Sequence, residues 1–204
     1  MMKLGLTILC AILLTVSALA MQDSFSPDAK GFIRNWLILA PIAMEEENEG
    51  AAELNKKQLK DEANIQPKEG DEVTIGAVKM KWKTHQTADF FIDFLKYVAG
   101  GRGEQVVGYA VTYIVADAEI KDVKAKLGSN DQAKLYVNGV QQIMFDDTRT
   151  LEADQDTSKP FTLNKGVNTI VFKVVNQENN WQGCLRFVDA NGDPVKGLKI
   201  KLMP

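Results

Sequence analysis

A single histidine limits the chemistry open to this chain. His85 is the one imidazole in 204 residues, so a Ser-His-Asp triad would have to use it as base. No G-x-S-x-G elbow accompanies it, and it reads as an exposed or locally bonded loop residue. A multi-histidine zinc site is excluded by count. Acidic pairs are more plentiful: Asp146 with Asp147, Asp154 with Asp156, and the run Glu45-Glu46-Glu47. A glycosidase needs two carboxyls held apart across a cleft; nothing marks such a pair here, and these read as solvated loop acids. Asp189-x-Asn191-x-Asp193 opens like a calcium loop. Pro194 then stands where an EF-hand needs glycine, and no glutamate follows at the twelfth place. A turn on Asn191-Gly192 explains the stretch better. No catalytic residue is predicted, and a hydrolase is the weakest of the functional readings.

Recognition without catalysis has better material. Sugars bind by laying an apolar face on an aromatic ring while polar groups take the hydroxyls. Trp181 stands among Asn179, Asn180 and Gln182, which is that composition in a polar loop. Trp36, Trp82 and Tyr136 are alternatives, with Trp36 and Trp82 read as packing residues. Arg149 and Arg186 could donate to hydroxyls or carboxylates, although arginines also commonly bond loop carbonyls.

These residues need a scaffold, and the pattern gives one of short strands. Leu135 and Val137 alternate with Lys134 and Tyr136, so one face of that strand turns inward. Asn138-Gly139 supplies the two positive-φ positions of a tight hairpin, and residues 140–145 return. Residues 32–39 read as the first strand, ended by Ala40-Pro41 because proline cannot donate to a ladder. Residues 51–63 hold good helix formers without proline or glycine, which predicts one exposed surface helix with a thin stripe of Leu54, Leu59 and Ala63. Residues 73–83 read as one half-buried strand, with Val78, Met80 and Trp82 alternating against lysines. Residues 90–95 are strand or helical turn. Residues 105–116 are the clearest strand. Further strands are expected at 123–127, 168–176, 184–189 and 197–202, with a long polar loop at 146–160. Many short strands punctuated by turns predict a mainly β, antiparallel, jelly-roll-like β-sandwich with one short surface helix.

The N-terminus is expected to be removed. Met1-Met2-Lys3, an apolar run over residues 4–19 and Ala18-Leu19-Ala20 make a secretory signal peptide over residues 1–20. The run is short for a spanning helix, which needs about 20 apolar residues; no membrane span is expected after cleavage. Residues 21–31 read as a tether and 32–204 as one domain. The product would be secreted or periplasmic. Only Cys184 then remains, so no internal disulfide can form, and it reads as a buried inert thiol. The formal charge of −3 and the lack of a basic block argue against nucleic acid as partner.

Four stretches bring a family resemblance. Leu127-Gly128-Ser129-Asn130-Asp131-Gln132 with Leu135-Tyr136-Val137-Asn138-Gly139 resembles the "GSDDG…vWlNG" signature of galactose-binding-domain-like jelly rolls from secreted proteins of planctomycete-type bacteria. Residues 163–170, 179–187 and 35–41 resemble three further strands of such modules, in the expected order. Asn130 replaces the usual aspartate, and Gln132 and Ala40 replace glycines. The resemblance implies a non-catalytic sandwich that binds carbohydrate or glycan. The alternatives are a structural or protein-interaction module of the cell envelope and an accessory domain of a secreted hydrolase system. The residues singled out for ligand binding are Trp181, Asn180, Arg186, Asp131 and Asn138. No cofactor is implied; a structural calcium ion held by loop oxygens is compatible with such a module.

Overall fold

The computed structural model describes residues 24–45, 49–101 and 103–204. The expected signal peptide lies outside the described residues, as do Glu46 and Glu47.

In chain order the elements are β1 (Asn35–Ala43), α1 (Gly50–Asn55), a 3₁₀ turn (Glu62–Asn64), β2 (Glu72–Ile75), β3 (Val78–Lys81), β4 (Lys83–Gln86), β5 (Ile92–Asp93), α2 (Phe94–Val98), β6 (Val106–Ala116), β7 (Ile120–Asn130), β8 (Ala133–Val137), β9 (Val140–Phe145), β10 (Asp156–Thr157), β11 (Phe161–Leu163), β12 (Gly166–Asn176), β13 (Gln182–Val188) and β14 (Lys199–Lys201). Two antiparallel sheets result. One has the order β4-β1-β6-β12-β8-β9, with β14 also on β6; the other has β10-β7-β13-β5, with β11 also on β7. Hairpin β2–β3 stands apart. The expected mainly β sandwich is therefore the observed architecture.

Between the sheets lies one core. Trp36, Ile38, Ala110, Ile114, Leu135, Phe172 and Val174 meet Ala125, Leu127, Leu185 and Phe187 across it. The alternate residues of the larger sheet do not face water. Leu37, Leu39, Tyr109, Val111, Val171 and Val175 form a second core with Leu54, Leu59 and Trp82. Residues 44–45 and 49–82 contribute this outer cover, with Val73, Ile75 and Met80 of the β2–β3 hairpin closing over it. β6 is thus buried on both faces, which is why its sequence is almost continuously apolar rather than alternating.

The cover corrects three expectations. The segment 51–63 is not one exposed helix. α1 stops at Asn55, a separate 3₁₀ turn follows, and both Leu54 and Leu59 are buried. The reason lies beneath it. The last carbonyls of a helix have no partner of their own, and two lysines of the sheet take them. Lys173 Nζ donates to Leu54 O (3.0 Å) and Lys56 O (2.6 Å), and Lys134 Nζ to Leu54 O (3.1 Å) and Asn55 Oδ1 (2.9 Å). The expected strand 73–83 is broken into β2 and β3, folded at Gly76, with Lys83 already opening β4. The first strand does not end at Pro41. It runs to Ala43, with its register shifting between Leu39 and Ile42 so that proline falls in an irregularity where no donor is needed. A second short helix, α2, occupies the stretch left between strand and helical turn; Asp93 caps it by accepting from Lys96 N.

Residues 24–31, expected as a tether, are docked where described. Phe25 N donates to Ile200 O (2.9 Å) and Ile200 N to Phe25 O (2.8 Å), and Phe25 packs on the inter-sheet core. The β8–β9 hairpin turns on Asn138 and Gly139 with φ of 50° and 80°, as its sequence predicts.

Candidate functional site

The candidate site lies where β7 hands over to β8. β7 runs to Asn130, and Asp131 and Gln132 cross to β8. The Asn130–Asp131 peptide is cis. Asp131 N donates to Val175 O (3.0 Å) and Val175 N to Gln132 O (2.9 Å), which pins the crossing to the end of β12. Gln177 follows that end, and its N–H donates to Asp131 Oδ2 (3.2 Å). Arg149 N donates to the other carboxylate oxygen, Oδ1 (3.3 Å). Burial pushes the Asp131 carboxyl above its ordinary pKa, and the backbone N–H groups of Gln177 and Arg149 oppose that shift.

Arg149 ties the neighbouring loop to the same end. Its guanidinium lies 3.7 Å from the centre of the Phe145 ring, donates to Ser129 Oγ (2.8 Å from Nη2) and pairs with Asp156. Ser129 Oγ in turn donates to Asp131 O (2.7 Å). Gln132 Nε2 donates to Gln177 Oε1 (2.7 Å). Around this frame, Asn130 Oδ1, Gln132 Oε1 and Asn176 Oδ1 are buried and accept no hydrogen bond. Such groups are normally paired; Gln132 Oε1 packs against Gly50 on the cover side, whereas Asn176 donates its amide to Gly103 O (2.6 Å), so these oxygens lie apart and are closed off from solvent.

The five residues singled out from sequence do not form one site. Asp131 and Asn180 share this end; Asn180 is exposed in the loop that begins at Gln177. Trp181 is not the exposed stacking ring that its polar neighbours predict. It is wholly buried, stacks on Phe94 with ring centres 4.7 Å apart, and donates its indole N–H to Val174 O. It anchors the loop from below, and neither ring face is open to a sugar. Arg186 is engaged elsewhere: it pairs with Asp154 (2.9 Å from Nε), donates to Lys30 O (3.0 Å) and lies over Phe32. Its partner in β7 is Lys126, four residues and roughly 13 Å of strand from the site. Asn138 lies at the far end of β8. Its amide bridges Asn168 Oδ1 (2.8 Å) and Thr169 N (2.9 Å) at the rim of a separate cleft with Asn64, Gln66 and Asn164.

Asn130, Gln132, Asn176 and Gln177 join the site without having been singled out. Their one sequence signal is position, since each closes or follows a strand. Among the described residues no three His, Cys, Asp or Glu side chains converge as a metal-ligand set. The Asp131 carboxylate is the charged oxygen donor this end would offer a hard cation. His85 is on β4 rather than in a loop, half-buried and edge-on to Tyr97, and burial lowers its pKa. Asp154 and Asp156 are each engaged with an arginine. Cys184 is buried, with its thiol pushed up to about 12 by burial.

No family model and no curated protein matches the chain. Among solved structures, a PA14 sugar-binding domain from an RTX adhesin is similar at 12% identity with a TM-score of 0.44, over 80% of this chain and 94% of that one. The PA14 domain of the antifreeze protein MpAFP is similar at 10% identity with a TM-score of 0.44, over 88% and 96%.

Proposed function

We propose that this chain is a secreted or periplasmic, non-catalytic module that binds carbohydrate through the end of the sandwich built around Asp131. One observation carries the reading: the Asp131 carboxylate, at the end of the sandwich, is held only by backbone N–H groups, with the exposed amides of the loop after Gln177 at the same end. Sugar hydroxyls are donors that such a carboxylate can accept, and a hydrogen bond to a charged group is worth about 1.5–3 kcal/mol. The exposed amides of Asn179 and Asn180 extend the same surface. A calcium ion could sit on the same carboxylate, so binding is to be measured with and without chelator.

The test is a glycan array probed with the native chain, with Asp131→Asn and with Asp131→Ala. The native protein should bind at least one glycan class, and both variants should lose it while keeping the native melting transition. Failure of the native chain on plant, algal and host glycans, or full binding by Asp131→Ala, would reject the proposal.

An envelope-protein partner is the second reading. It is favoured by β9, an edge strand of the larger sheet on which Val140 and Met144 are exposed. Recovery of a single envelope protein that is lost on Val140→Lys would support it.

A further inference from the structure

A second cleft, three strands across the larger sheet from the Asp131 crossing, has a different chemistry. β4 pairs with β1 only through Ile38, opposite Lys83. β1 continues past that point to Ala40 and Pro41 while β3 lies over the outer core. Between them opens a cavity of about 440 Å³, walled on its third side by Tyr97 and Val98 of α2. Strand alternation sets what lines it. Met80 and Trp82 turn to the outer core, so Lys79 and Lys81 turn the other way, and Lys83 continues the row. Three lysines therefore converge on one cleft in a chain whose net charge is −3.

One carboxylate opposes them. Glu72 takes Lys79 at 2.5 Å and Lys81 at 3.4 Å, and the two lysines stay 67% and 53% exposed. Lys83 has no ion-pair partner among the described residues. The cleft is left with a surplus of positive charge. Ala40, Pro41 and Val98 give it an apolar lining, and Tyr97 adds a ring held in place by its hydroxyl, which donates to Ile38 O (3.2 Å).

We infer that this cleft binds an acidic polysaccharide, one whose sugar units carry carboxylate or sulfate groups. The ring and proline suit the C–H face of a pyranose, and the lysine row suits anions repeated along a chain. Lysine rather than arginine fits a loose point-charge contact instead of a bidentate one. This site is separate from the one proposed around Asp131, so the two readings fail independently.

The test is isothermal titration of the full chain with polygalacturonate as the carboxylate arm and dextran sulfate as the sulfate arm. Unmodified dextran and a single-stranded oligonucleotide are the comparisons. The variant is Lys79→Gln with Lys81→Gln and Lys83→Gln. Its charge control is Lys121→Gln with Lys165→Gln and Lys196→Gln, all exposed and outside the cleft. Tyr97→Leu removes the ring. The native chain should bind at least one acidic polymer and not dextran. Its affinity should fall roughly tenfold or more between about 50 and about 200 mM salt, as release of two to three counterions requires. The cleft variant should lose at least tenfold, Tyr97→Leu severalfold, and the control and Asp131→Ala nothing. Equal losses in cleft variant and control, equal binding of the oligonucleotide, or no binding of either acidic polymer would overturn the inference.

Discussion

Replacing Lys173 by methionine should loosen the cover over the larger sheet, and the structure sets the size of the effect. Lys173 Nζ is wholly buried and makes three bonds, to Leu54 O, Lys56 O and Glu62 Oε2 (3.1 Å). Glu62 is itself 2% exposed and accepts from the hydroxyls of Tyr109 and Tyr136. Methionine keeps the stem and removes the cation. Glu62 then stays buried without its counter-charge, and Lys56 O loses its donor. Breaking one side of such a pair costs about 3–5 kcal/mol. For a chain of this size that lowers the melting temperature by roughly 6–20 °C. Adding Glu62→Gln removes the stranded charge and keeps an oxygen for a tyrosine. The double variant should therefore recover part of the loss, with a coupling of roughly 2–3 kcal/mol in the cycle. Urea unfolding at neutral pH of the native chain, both single variants and the double reads all four corners. A loss below about 1 kcal/mol for Lys173→Met, or strict additivity, would refute the latch.

The same cluster shapes the pH profile. Burial pulls Lys173 from 10.5 down to about 8, partly countered by Glu62. The unfolded chain thus holds that proton more tightly, so stability from this group rises as pH goes from about 8 to 10.5. Burial raises Tyr109, Tyr113 and Tyr136 above their ordinary value of 10.0, so their contribution is present below that pH and is lost above it. Each fully buried tyrosine contributes a falling slope of up to about 1.4 kcal/mol per pH unit. Denaturant midpoints should peak near pH 10, where the rise from Lys173 meets the fall from the tyrosines; a steady decline from pH 8 would contradict the assignment. Gly108→Ala should cost about 1–3 kcal/mol, because its Cβ would lie 2.6 Å from the Trp181 ring and 2.9 Å from Phe94; a neutral melt would count against that contact. Trp181→Ala should unfold or destabilise the chain by about 3–5 kcal/mol, so any loss of glycan binding must track loss of fold in circular dichroism. Cys184 should resist thiol reagents in the native state and react once denatured; rapid native labelling would show that β13 opens.

How much of this was legible in the sequence differs by layer. The sandwich was legible because alternation, turn residues and β-branched runs act locally. Asn138-Gly139 turned where its backbone freedom allows it, and residues 166–176 formed a strand slightly longer than expected. What the sequence hid was the second core. Lys134 and Tyr136 looked like the wet side of a strand, and Lys173 sits within an otherwise largely apolar one. All three face the cover, where helix-end carbonyls and Glu62 receive them. That pairing spans 74 to 119 residues of chain, beyond any local pattern. The site failed in the same way. Trp181 was placed by the polarity of its neighbours, yet Gly108, 73 positions earlier in the sequence, is what lets its ring enter the core. Asp131 was named from a motif, while the N–H groups that hold its carboxylate belong to Arg149 and Gln177, which only the fold brings to it.

The most direct measurement is an amide-resolved NMR titration with whichever glycan the array selects. Resonances of residues 130–132, 149 and 176–180 should shift together and saturate, while those around Asn138 and Asn164 stay still. Shifts confined to the Asn138 cleft, or none at all in the Asp131 loops under saturating glycan, would contradict the account.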